Sequence, residues 1–129
     1  MKYLSLIVAI CCVLSACASQ EVRTKAQRNK HVEAHEAYNG PVCMFEGKPQ
    51  NMTFVELGKV LAIKETYGEV SEVMPALAKQ ARKLGANAVM NVESRQRFRG
   101  LQFDKIATPF ARGVAISIQE PFVCPGKEL

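Results

Sequence analysis

The chain has 129 residues, enough for one domain, with a formal net charge of +5 and no tryptophan. That charge is too modest to argue for nucleic-acid binding, and it suits proximity to anionic headgroups or other polyanions. Two histidines and a single aspartate, Asp104, leave no Ser-His-acid set, and no P-loop, dinucleotide fingerprint or zinc-ligand spacing occurs. The reading is therefore non-enzymatic, with no cofactor and no metal site.

Met1-Lys2 gives a short positive start, and Tyr3 to Val13 is an apolar run too short for a membrane span. Leu14-Ser15-Ala16-Cys17 follows, with small residues before the cysteine. This resembles a bacterial lipobox. The resemblance implies that residues 1–16 are a lipoprotein signal peptide, that Cys17 is acylated, and that the chain is anchored in a membrane by that lipid. Ala18 after the cysteine, rather than Asp, implies by the same analogy the outer membrane. An ordinary signal peptide cut after Ala16 or Ala18 is the plainer alternative. Losing Lys2 with the signal lowers the net charge to +4.

Of five cysteines, Cys11 and Cys12 leave with the signal and Cys17 carries lipid. Cys43 and Cys124 remain. An even pair in an exported chain reads as a disulfide, here bracketing nearly the whole domain.

Residues 17–40 read as a polar tether, partly helical by composition, with Val22, Val32 and Tyr38 its sizeable apolar groups. His31 and His35 sit at i and i+4, a spacing that can hold a metal on a helix, but no third ligand accompanies them. The domain is expected over 41–129. Val42 to Glu46 reads as a short strand, and Met52 to Lys64 as a longer one in which Val55, Leu57, Leu61 and Ile63 share a parity. Gly58-Lys59 marks a bulge there. Val70, Val73, Met74, Leu77, Ala81 and Leu84 form one stripe of an amphipathic helix. Arg82 and Lys83 complement its C-terminal dipole, and Gly85 is its expected left-handed stop. Ala88 to Arg97 follows as a strand with Ala88, Met90 and Val92 on one face. Gly100 and Asp104 are turn candidates and Pro109 a break. Val114, Ile116 and Ile118 then alternate as a half-buried strand. The expected architecture is α+β, ββαββ, with one helix packed on a mostly antiparallel sheet after a polar N-terminal tether.

Leu77 to Val89 reads L-x-x-x-A-x-x-L-G-A-N-A-V, and Gly113 to Ile116 reads G-V-A-I. This pattern resembles two related groups: the YbjQ-type domains associated with heavy-metal binding, and the Rcs-pathway sensor lipoprotein of the bacterial outer surface. The resemblance implies a helix on a mostly antiparallel sheet. The Rcs sensor carries four domain cysteines in two disulfides, whereas this chain has two.

Arg95, Arg97 and Arg99 are the most suggestive surface feature. Residues two apart in a strand share a face, so three guanidiniums form a row able to clamp phosphates of anionic lipid or lipopolysaccharide, or an acidic face of an envelope protein. A charged edge strand that discourages edge-to-edge pairing is the plainer reading. Met44, Met52, Met74 and Met90 offer thioethers but fit packing positions. Asn87 is expected to tie the turn backbone after Gly85. Glu46, Glu56, Glu93 and Glu120 are the carboxylates available for acid–base work, and their spacing demands no pair. Two functions follow: an envelope lipoprotein acting as a protein-binding, stress-sensing or assembly module, or a metal- or small-ligand-binding module.

Overall fold

The computed structural model describes residues 22–100 and 106–129. The expected signal peptide, Cys17 with its expected acylation, Asp104 and the start of the expected tether lie outside these residues. Six strands are present: β1 Arg23–Arg28, β2 Cys43–Met44, β3 Phe54–Ile63, β4 Ala88–Arg99, β5 Ile106–Ile118 and β6 Lys127–Glu128. They form one sheet in the order β1-β3-β5-β4-β2-β6. The β2–β4 pair is parallel and the other four pairs are antiparallel. One α-helix, α1 Met74–Lys83, packs on one face.

The regular helix begins at Met74, later than the apolar stripe that opens at Val70. A 3-10 turn over Val70–Glu72 leads into it, and Pro75 occupies its first turn, where no intrahelical N–H is lost. Its end is a Schellman motif. Gly85 N–H donates to Arg82 C=O, Ala86 N–H donates to Ala81 C=O, and Gly85 takes φ +87°. A side chain at Gly85 would also lie 2.5 Å from His35 Cβ, because the 35–36 backbone crosses over this stop. Leu77, Ala78 and Ala81 are fully buried against Leu57, Val60, Val89 and Ala115 of the sheet.

Two bulges decide which side chains face the helix. In β3 the register shifts between Glu56 and Gly58, where the sequence suggested a bend. The shift breaks the expected parity: Leu57, Val60 and Ala62 join the helix-side core, while Leu61 and Ile63 turn to the other face. In β4 the register shifts between Met90 and Glu93, around Asn91 at φ +53°. Met90 therefore faces away from the helix and Val92 packs towards it, so the expected shared face of Ala88, Met90 and Val92 is interrupted. The bulged backbone is satisfied from the 45–47 segment: Asn91 N–H donates to Gly47 C=O, and Val92 N–H to Phe45 C=O.

Three further expectations are corrected. The segment read as a tether contains β1, an edge strand paired with β3 along its length. Its apolar residues Val22, Val32 and Tyr38 all pack against the helix-side core, and no helix forms around His31 and His35. Pro109 does not break the chain but lies inside β5, opposite Gln96. It is tolerated because its backbone points towards Lys64, just past the end of β3, so its missing N–H removes no interior ladder bond. The order is thus three strands, helix, three strands rather than ββαββ.

Asn87 is buried, and its bonds run across the sheet rather than within its own turn. Its Nδ2 donates to Ile118 C=O at 2.9 Å, and its Oδ1 accepts from Ile118 N–H at 2.8 Å. The side chain thereby extends the β4–β5 ladder by one rung. Asn87→Ala orphans both groups of Ile118, so we expect a loss of about 1–3 kcal/mol, read as a urea midpoint shift at unchanged slope. A shift indistinguishable from zero excludes this rung as a stabilising contact. Before the helix, the Lys64 ammonium and the Glu69 N–H both donate to Glu72 and hold its carboxyl below the usual range. That contribution is present above the ordinary carboxylate pKa and fades as pH falls through the lowered one.

Candidate functional site: a cationic sheet face

The face of the sheet opposite the helix has two halves. Towards β6 it is apolar: Cys43, Phe45, Ala88, Met90, Ile116 and Ile118 form a second buried cluster, covered by Met52, Phe54, Phe122 and Cys124. Cys43 and Cys124 are joined by a disulfide with Cα atoms 5.7 Å apart, as the cysteine count led one to expect.

Towards β1 the same face carries charge. Cross-strand register defines its rows, since directly paired residues share a face. Arg23, Ile63, Phe110 and Arg95 make one row, and Lys25, Leu61, Arg112 and Glu93 the next. Gln27, Lys59, Val114 and Met90 make a third. The face thus gathers Arg23, Lys25, Lys59, Arg95, Arg97 and Arg112 over a floor of Leu61, Ile63, Phe110 and Val114. Successive rows on one face are about 7 Å apart and adjacent strands about 5 Å apart, so these cations spread over roughly 15 Å across the strands and roughly 20 Å along them.

Two of the three arginines singled out in the sequence are brought together. Arg95 and Arg97 both lie over the Phe110 ring, with guanidinium carbons 5.3 and 5.0 Å from its centroid. Phe110 itself is only 5% exposed beneath them. Arg99 follows in β4 with its backbone opposite Ile106. Glu93 ties Arg112 at 2.7 Å through Nε and approaches Arg95 at 3.5 Å, which orients both guanidiniums. Arg23 pairs with Glu65 at the rim. Among the described residues Lys25 and Lys59 form no ion pair, and the buried Nε of Arg97 has no hydrogen-bond partner. A shallow depression of about 400 Å³ runs between Lys25, Lys59, Asn91 and Arg112.

The plainer reading of the arginine row also has its geometry. Beyond Val92, β4 is bordered by β5 on one side and, among the described residues, by no strand on the other. A charged edge and a cationic face coincide on this strand.

Sequence reasoning missed Arg23, Lys25, Lys59 and Arg112. One signal was available: Arg23, Lys25 and Gln27 alternate with Thr24, Ala26 and Arg28, a period-2 pattern inside a segment read as tether. The other two cations are placed by register, which no local pattern encodes. The thioethers are divided by the sheet, Met44 and Met74 lying on the helix side and Met52 and Met90 on the other. Among the described residues no three His, Cys, Asp or Glu side chains converge in a metal-holding group. A larger open depression of about 780 Å³ at the free edge of β4 is lined by Glu46, Met74, Ser94 and Lys127. No family model, characterised protein or solved structure matches this chain.

Proposed function

We propose that this protein is a non-enzymatic cell-envelope lipoprotein, acylated at Cys17 and anchored in the outer membrane. Its α+β domain serves as a binding module, in a sensing or assembly role, for another envelope component: a protein or an anionic lipid. The observation that carries this reading is the Cys43–Cys124 disulfide, because such a bridge persists in exported chains and not in a reducing cytosol. The lipobox-like Leu14 to Cys17 stretch supports the same compartment. The bridge also withdraws both domain cysteines from any soft-metal ligand set, which weighs against the metal-binding alternative.

Replacing Cys17 by Ser should give a chain that is unprocessed or released from the membrane, seen by mass spectrometry of the N-terminus and by membrane fractionation. If the variant still matures and remains anchored through its N-terminus, the lipoprotein reading fails.

A further inference from the structure

We infer that the cationic sheet face is a membrane-docking surface, lying against the anionic phospholipid headgroups of the leaflet that holds the Cys17 lipid. This deepens the lipoprotein reading and rests on it.

The first argument is reach. Residues 17–40 were expected to be a long tether, but β1 starts at Arg23, so only six residue steps separate Cys17 from the folded sheet. Fully extended, six residues span at most about 20 Å. An acyl chain at Cys17 therefore fixes the domain within its own diameter of the headgroups, and β1 enters that zone first.

The second argument is charge. β1 itself presents Arg23 and Lys25 to the cationic face, and Lys59, Arg112, Arg95 and Arg97 continue that charge across three more strands. Glu93 and Glu65 are the acidic groups paired within it. Six cations on one face form a field that headgroup phosphates complement, and Lys25 and Lys59 carry unspent charge. Half-buried Leu61, Ile63 and Val114 between the cations match the mixed polarity of the headgroup boundary. The helix on the far side offers the natural comparison: its outer surface carries Lys79 and Lys83, with Glu72 at its start.

The absence of tryptophan makes the orientation measurable. The acylated protein is reconstituted into vesicles with a headgroup-level quencher, carrying one tryptophan at Gln27→Trp on the cationic face or at Lys79→Trp on the helix. In vesicles of phosphatidylcholine with about one third phosphatidylglycerol, Gln27→Trp should be quenched several-fold more strongly than Lys79→Trp. That asymmetry should shrink in pure phosphatidylcholine, at high salt, and in the Lys25→Gln/Lys59→Gln/Arg95→Gln background. These three side chains are exposed, and circular dichroism checks that the background remains folded. Without the lipid, the same replacements should lower vesicle partitioning of the Cys17→Ser chain by at least about tenfold at low salt. Equal quenching at both positions, stronger quenching at Lys79→Trp, or an asymmetry indifferent to charge and salt overturns the docking while the acyl mass on Cys17 keeps the anchor intact. A mature chain without that mass overturns the anchor, and the docking falls with it.

Discussion

Replacing Cys43 and Cys124 together by Ser should lower the unfolding free energy by up to about 4–5 kcal/mol. The bridge closes a loop of 81 residues, and in the chain-entropy model such a loop restricts the unfolded chain by that amount. A domain this size has a total stability of roughly 5–15 kcal/mol, so the loss is a large share. The folded side adds to it locally. β2 and β6 have two residues each, and Val42 and Leu129 exchange the backbone bonds that hold them, at 2.8 and 2.9 Å. With the bridge gone, the 119–129 segment is held by these bonds, by Gln119 N–H to Thr53 C=O, by Arg82 donating to Leu129 C=O, and by the packing of Phe122 and Leu129. Urea unfolding of the oxidised protein against the double variant measures the difference, and alkylation of the native protein without reductant should label neither cysteine. Rapid labelling of both thiols in protein taken from envelopes, or a midpoint unchanged by the double replacement, removes the bridge from this account and with it the main support for export.

The helix, its stop and its apolar stripe were legible because they depend on local rules. Leu77, Ala81 and Leu84 repeat at helical spacing, and Gly85 meets a backbone need that few other residues meet. The disulfide was legible from counting. What was not legible depends on pairing. Leu61 and Ile63 share a sequence parity with Leu57 but not a face, because one extra residue near Gly58 flips every side chain after it. Gly58 also lets β1 approach, since a side chain there would collide with Gln27 C=O. β1 was hidden by its own polarity. An edge strand with one face on the helix and the other in solvent needs no apolar run, and Arg23–Arg28 has none.

The candidate site shows the same division. Arg95 and Arg97 were visible as a row because strand spacing is local. Their position on the face away from the helix was not, because the bulge at Asn91 sets it. Without the extra residue there, Arg95 and Arg97 would point towards the helix-side core and Val92 would point out. Phe110 as their platform, and Lys59 and Arg112 as their neighbours, follow from the registers of β3 and β5 only. The cationic face is therefore a property of the assembled sheet, whereas the lipobox-like stretch is a property of the sequence alone.

Leu77→Ala tests the packing on which that sheet depends. Leu77 is fully buried at the centre of the helix-side cluster, beside Val60, Val73, Val89 and Ala115. Truncation removes three carbons from contact and leaves a cavity between α1 and β3 that the β-sheet backbone cannot close. The expected cost is about 2–5 kcal/mol. Lys79, two residues on, is exposed on the outer side of the same helix, and Lys79→Ala should change stability by no more than about 0.5 kcal/mol. Both variants should be measured in the chain that retains β1, because a fragment beginning near Gly40 strips the strand paired with β3 and uncovers its edge. With the disulfide intact, the two urea midpoints should separate clearly at equal slopes. If Leu77→Ala is as mild as Lys79→Ala, the helix does not bury this stripe. The face opposite it then loses its definition, and the six cations are no longer held on one surface.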